Sequence, residues 1–204
     1  MCKRKIILFI LGCFLFLSPN SGFAQIAGTA HDFSGTGWAG GEICLPCHAP
    51  HNASATPDAP LWNHEETTAT FTLYSSPWMV GSPEQPQGVS RLCLSCHDGT
   101  IALDSFGGNT GTSYLEGTSN LTTDLSNDHP VSILWTHQND VANGTCGRCH
   151  GSPHGPGGMQ PVLPFFNGYV ECATCHDVHN GTGFPRFLRI SLLGSELCLI
   201  CHGK

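Results

Sequence analysis

Cys44-Leu45-Pro46-Cys47-His48 is the first of five copies of the pattern Cys-x-x-Cys-His in this 204-residue chain. The other copies are Cys93-Leu94-Ser95-Cys96-His97, Cys146-Gly147-Arg148-Cys149-His150, Cys172-Ala173-Thr174-Cys175-His176 and Cys198-Leu199-Ile200-Cys201-His202. This spacing is the attachment signature of c-type haem, in which two thiols bond to the vinyl groups and the histidine binds the iron. The sequence therefore predicts five covalent haems, and we number the motifs one to five in chain order.

Two other uses of paired cysteines explain less of the pattern. A structural zinc site needs four ligands and gives no reason for a histidine directly after every second cysteine. A disulfide framework needs only an even number of cysteines in a secreted chain, so it also leaves the five motif histidines unexplained.

The first 24 residues predict a cleaved secretory signal peptide. Basic residues at 3–5 precede an apolar run at 6–17, and a small-residue site at 22–24 precedes Gln25. The run is short for a bilayer, so we expect no stable membrane span, with a lipoprotein anchored at Cys13 as an alternative. After cleavage every cysteine belongs to a motif, and we expect a periplasmic or extracellular protein.

About 180 residues remain after cleavage, or about 36 for each haem. The chain has 25 glycines, 14 prolines and only 11% charged residues, which predicts a loop-rich chain. We therefore expect mostly coil, short α-helices at the haem motifs, little β structure and a core formed by the haems. The net charge is −7, or −10 after the three basic signal residues are removed, which excludes nucleic acid as a partner.

The motif spacing sets the predicted organisation. First cysteines of successive motifs are separated by 49, 53, 26 and 26 residues. We predict helical turns at residues 91–102 and 195–202, with loops at 105–124 and 151–164. Residues 25–204 are predicted to form a single pentahaem domain, and two small domains divided near 109–128 are the alternative.

The histidines outside the motifs are candidates for the sixth iron ligand. They are His31, His51, His64, His129, His137, His154 and His179. Only two methionines remain after the signal, so bis-histidine ligation is expected. His51, His154 and His179 follow their motif histidines by only three or four residues, and so short a tether favours binding to a neighbouring haem.

Several stretches resemble multihaem cytochromes c of the doubled Cys-x-x-Cys-His group, which are typical of metal-reducing bacteria. They are His31-Asp32-Phe33-Ser34, the first motif with Ala49-Pro50-His51-Asn52, Pro60-Leu61-Trp62-Asn63-His64, the second motif with Asp98-Gly99-Thr100, Asp128-His129-Pro130-Val131, and the last two motifs with Asp177-Val178-His179 and Phe187-Leu188-Arg189. The resemblance implies bis-histidine haems with His51, His64, His129 and His179 as distal ligands. Some similar cytochromes form filaments, which makes His31 a candidate ligand between subunits. The third motif is an addition to this pattern, and the choice between His137 and His154 beside it stays open.

Three functions follow from these features. The first is electron transfer, without catalysis, to other redox proteins or to extracellular acceptors such as metal oxides, with a homopolymer as one form. The second is a soluble periplasmic shuttle that feeds a reductase. The third is a small multihaem reductase, which needs one haem with an open distal side. Seven spare histidines are available for the five sixth-ligand positions, which argues against an open side.

Overall fold

The computed structural model describes residues 25–56, 59–79, 81–135 and 163–202. Most of these residues lie in turns and irregular loops, with few short helices and little β structure, as the composition predicts. The signal sequence, the third motif, His137 and His154 lie outside the described residues. Within the described ranges, no helix has the length and apolar character needed to cross a bilayer.

Each α-helix of the described chain carries a motif. Helix α1 is Gly88–His97, α2 is Cys172–Cys175 and α3 is Cys198–Cys201. Single turns of 3-10 helix lie at Gly117–Ser119, Pro185–Phe187 and Leu193–Ser195. Helices thus form at the second, fourth and fifth motifs, whereas the first motif is a turn without an α-helix, unlike the prediction.

The helix at the second motif differs from the predicted range of 91–102. It begins at Gly88 and ends at His97, because Gly99 has a φ of +72° and leaves the helical conformation. A Cβ atom at position 99 would collide with the Asn120 side chain. Glycine at this position thus ends the helix and lets the next loop approach closely.

The β-strands of the described residues form two short antiparallel pairs. Strand β1, Ser54–Thr56, pairs with β2, Ala59–Trp62, and Ser54 lies opposite Trp62. Strand β3, Ile133–Leu134, pairs with β4, Tyr169–Val170, and Ile133 lies opposite Val170. The first pair lies beside the first motif, and the second pair leads directly into α2.

Buried apolar side chains form two small clusters next to the motifs. One contains Phe71, Leu94 and Leu125, and Leu94 is itself part of the second motif. The other contains Leu163, Leu188 and Leu197, with Cys175 and Ile200 packed against it. The expectation that bound haems complete this core stays a prediction.

Buried polar groups connect the loops to α1. The Asp98 carboxylate accepts hydrogen bonds from the Thr67 hydroxyl at 2.6 Å and from the Thr100 amide at 2.7 Å. The Thr67 amide donates to Ser95 Oγ at 2.9 Å. These bonds hold the 64–73 segment against the second motif.

A second polar group connects α1 to α2. The Cys172 amide donates to Ser90 Oγ at 2.9 Å, and the Ser132 hydroxyl donates to the Glu171 carboxylate at 2.9 Å. Hydrogen bonds therefore join residues on both sides of the alternative boundary at 109–128. The single domain over 25–204 stays a prediction.

Candidate functional site

All four described motifs adopt a tight turn that brings their cysteines together. The amide of the motif histidine donates to the first cysteine carbonyl at 2.8 Å for His48, 3.0 Å for His176 and 2.8 Å for His202. His97 is the last residue of α1. Side chains three residues apart share one face of such a turn, so both thiols of a motif can reach one planar group.

None of the eight described motif cysteines forms a disulfide bond. Burial, together with the neighbouring Cys44, raises the pKa of Cys47 to about 11. Burial, with Cys47 and Asp98 nearby, raises the pKa of Cys96 to about 12. In the described ranges, no three His, Cys, Asp or Glu side chains cluster to hold a bare metal ion.

Three motif histidines are oriented in the same way by a returning segment of chain. His48 Nδ1 lies 2.8 Å from the Pro60 carbonyl oxygen, His97 Nδ1 lies 2.8 Å from that of Ser119, and His176 Nδ1 lies 2.8 Å from that of Arg186. A carbonyl only accepts hydrogen bonds, so Nδ1 carries the proton and Nε2 keeps a free lone pair. A hydrogen bond from Nδ1 to a carbonyl oxygen is the arrangement that orients histidine ligands toward a metal.

Local backbone pairing places these carbonyl groups. The Ala49 amide donates to Leu61 O at 2.9 Å, which aligns β2 with the first motif. The Arg189 amide donates to Cys175 O at 2.9 Å, which aligns the 186–189 segment with the fourth motif. The carbonyl acceptors could not be predicted from the sequence, because every residue has a backbone oxygen.

The geometry of the motifs fits a haem. Each described turn presents two thiols together, and three motif histidines present an Nε2 lone pair that Nδ1 hydrogen bonding has oriented. The residues that would hold the group are the eight described cysteines and the histidines that follow them. The third motif, Cys146, Cys149 and His150, lies outside the described residues, so its part in haem binding stays a prediction.

Cysteines from different motifs are neighbours. A hydrogen bond shared with Cys172, followed by burial, raises the pKa of Cys93. The nearby Cys47 contributes to the raised pKa of Cys96. Cys198 similarly contributes to the raised pKa of Cys175, after burial and Cys172. Motifs one, two, four and five therefore form a connected cluster in that order.

Three spare histidines each lie beside one motif histidine. The ring centres are 6.1 Å apart for His31 and His97, and 6.3 Å apart for His48 and His179. They are 6.2 Å apart for His129 and His202. All three pairs join residues that are distant in sequence.

His51 and His64 form no such pair among the described residues. His51 is exposed. His64 is buried, and its Nε2 lies 3.0 Å from the Ala102 carbonyl oxygen and 3.5 Å from Cys96 Sγ. Their predicted role as distal ligands stays a prediction.

His31, in the N-terminal arm, lies against its own chain near the second motif. Its ring packs between His97 and Phe187, whose ring centre is 4.8 Å away, and its role as a ligand between subunits stays a prediction. Burial and the nearby His97 lower the pKa of His31 to about 4. The arm is docked because the Gln25 amide donates to the His179 carbonyl oxygen at 2.7 Å.

Trp62 is a further residue near the first motif. Its ring centre is 6.4 Å from that of His48, with the planes at 89°. Its indole nitrogen is buried and has no hydrogen-bond partner among the residues that the structure describes. The sequence analysis singled out the stretch around Trp62 but assigned no role to the indole.

A family model described as the doubled CXXCH motif matches residues 164–204. The match covers the fourth and fifth motifs, about a fifth of the chain. It supports a c-type cytochrome-like family, and the CXXCH motifs indicate covalent binding of c-type haem and electron transfer. No curated protein matches the chain.

Proposed function

We propose that the chain is an electron-transfer protein that holds five c-type haems, one at each motif. The observation that carries this proposal is the shared geometry of His48, His97 and His176, each with Nδ1 bonded to a carbonyl oxygen at 2.8 Å. Three separate segments each place a carbonyl oxygen at the same distance from a motif histidine. A histidine without a ligand role does not require this arrangement.

Each element of a motif has a distinct task. The cysteines hold the group covalently, and the histidine Nε2 is the proximal ligand. Donation from Nδ1 to a carbonyl oxygen fixes the ring and makes Nε2 a better electron donor to the metal. Bound haem supplies one-electron exchange between ferric and ferrous iron.

The packing of the cysteines supports transfer between several centres. Cys47 lies near Cys96, Cys93 lies near Cys172, and Cys175 lies near Cys198. Groups attached at these cysteines would share one compact interior and complete the core that the two small apolar clusters begin. We propose that the protein acts without catalysis of its own.

We further propose a site of action outside the cytoplasm. The basic, apolar and small-residue order of residues 1–24 supports export, and the acidic mature chain supports redox proteins or extracellular acceptors such as metal oxides as partners. The intrachain position of His31 favours a shuttle that works as a separate molecule over a filament bridged by His31. A filament joined through a different surface is the second candidate.

Haem stoichiometry provides the first test. Intact mass and pyridine haemochrome absorbance of the mature protein should give five covalent haems. The double variant Cys146→Ala/Cys149→Ala should give four, and Ser152→Ala, a nearby change outside the motif, should still give five. Fewer than five haems in the unaltered protein would contradict the proposal.

Reactivity and assembly are tested on the same preparation. The reduced protein should be reoxidised by a ferric oxide suspension, and its ferric form should show no high-spin electron paramagnetic resonance (EPR) signal. A large high-spin signal with turnover of an oxyanion would instead support a reductase. Electron microscopy should show separate particles, whereas filaments lost in His31→Ala would overturn the shuttle.

A further inference from the structure

We propose that His179, His31 and His129 are the distal iron ligands at motifs one, two and five, opposite His48, His97 and His202. The inference rests on the proposed haem binding and deepens it. It assigns each of three spare histidines to one particular motif, which no feature of the sequence does.

The spacing of the three pairs is the first argument. Two nitrogens each about 2.0 Å from a shared metal, and each about 1.1 Å from its own ring centre, separate the ring centres by roughly 6.2 Å. The observed separations are 6.1, 6.3 and 6.2 Å. Other ring pairs in the chain have similar separations, such as His48 and Trp62 at 6.4 Å, so the separation is compatible with shared ligation and the pairing of histidine with histidine carries the argument.

The one-to-one pairing is the second argument. Each pair contains one motif histidine and one spare histidine, and no histidine occurs in two pairs. The interplanar angles are 81°, 17° and 74°. Ring stacking would favour one relative orientation, whereas rings on opposite sides of a metal can rotate about the axis through it. Variable angles at a constant separation therefore fit shared ligation.

Hydrogen bonds at Nδ1 are the third argument. His129 Nδ1 lies 3.0 Å from the Pro130 carbonyl oxygen, so its Nε2 is free in the same way as in the motif histidines. His179 Nδ1 lies 3.9 Å from the Asp177 carboxylate, which is beyond hydrogen-bond distance, so this argument applies to His129 alone. In His129, Nε2 is the atom left for a metal.

The backbone brings these residues together from remote parts of the chain. His179 lies three residues after His176, yet its ring is beside His48 of the first motif. The Gln25 amide bond to the His179 carbonyl, and the Asn180 side-chain bond to Gln25 O at 3.4 Å, hold the start of the arm against this loop. One set of contacts thus positions the segments that carry both His31 and His179.

The test replaces one histidine at a time in the mature holoprotein. His31→Ala, His129→Ala and His179→Ala should each keep five covalent haems by mass and convert one fifth of the ferric haem from low-spin to high-spin. Added imidazole should restore the low-spin EPR signal. Tyr114→Ala, which removes an exposed ring outside the motifs, is the control and should remain low-spin.

A second set of variants tests the pairing itself. In a Cys93→Ala/Cys96→Ala background, which cannot attach the second haem, His31→Ala should add no high-spin signal, whereas His179→Ala should still add one equivalent. A new high-spin equivalent from His31→Ala in this background would overturn its assignment to motif two. Unchanged spectra for all three single variants would overturn the ligand assignment as a whole.

The two proposals fail in different ways. A haem count below five in the unaltered protein contradicts the proposed function. The ligand assignment can then still be tested on the haems that are attached. Five haems with unaltered low-spin spectra in the variants contradict only the ligand assignment. The variants His31→Met and His179→Met distinguish loss of a ligand from misfolding. Because each supplies a different ligand, the affected haem should shift to a higher potential.

Discussion

Asp98 should be one of the most important side chains for holding the second motif in place. Its buried carboxylate accepts hydrogen bonds from Thr67 Oγ1 at 2.6 Å, Thr100 N at 2.7 Å and Thr100 Oγ1 at 2.8 Å. We predict that Asp98→Ala releases the 64–73 segment from α1. The change also removes a residue directly after the motif histidine without altering a haem ligand.

The expected cost follows from these bonds. Hydrogen bonds to a charged group contribute about 1.5–3 kcal/mol each, and a buried donor left without a partner adds a penalty. The Thr67 hydroxyl keeps a contact with Thr100 Oγ1 at 3.1 Å, so the loss is less than the sum of three bonds. We therefore expect the free energy of unfolding to fall by about 3–5 kcal/mol.

Denaturant unfolding of the holoprotein provides the measurement. Tryptophan fluorescence, which nearby haem quenches in the folded state, should recover at a lower denaturant concentration in Asp98→Ala. Asp124→Ala is the matched control, because Asp124 is exposed and accepts a bond from the Ser126 amide at 3.1 Å. A loss in Asp98→Ala no greater than that in Asp124→Ala would refute the reasoning.

Three further variants test the core, the helix end and the charge between motifs. Leu94→Ala should lower the free energy of unfolding by about 2–5 kcal/mol, whereas Leu193→Ala, 85% exposed, should change it by less than about 0.5 kcal/mol in the same assay. Gly99→Ala should cost more than Gly37→Ala, because both have positive φ but only Gly99 also faces a side chain; equal thermal shifts would contradict this. Glu171→Gln removes a buried negative charge beside Cys93 and Cys172, and should raise at least one midpoint potential in protein-film voltammetry.

The mostly coil fold was predictable because composition and motif spacing limit regular structure. Helices at the second and fifth motifs were also predictable, since cysteines three residues apart require a turn. The ends of α1 were wrong by several residues. Gly99 is compatible with several conformations, and only its approach to Asn120 shows why the helix stops before it.

The candidate site also has features that were predictable from the sequence and features that only the structure shows. His31 is a candidate ligand between subunits by resemblance, and only long-range packing shows that its ring lies beside His97 and Phe187 of its own chain. His179 was expected to avoid its own motif, and the structure shows which other motif histidine it adjoins. The three-residue separation from His176 argues against binding to the haem of the same motif. It does not show which of the other motifs His179 adjoins.

The sequence by itself determined which atoms can hold the cofactor, because attachment chemistry depends on two thiols and a histidine at fixed local spacing. The tertiary structure alone decided which carbonyl groups orient the motif histidines and which distant histidines stand beside them. These contacts span up to 131 residues, from His48 to His179, and depend on how loops return across one another. The short motifs do not determine how the loops between them fold back, since many loop conformations are compatible with the same motifs.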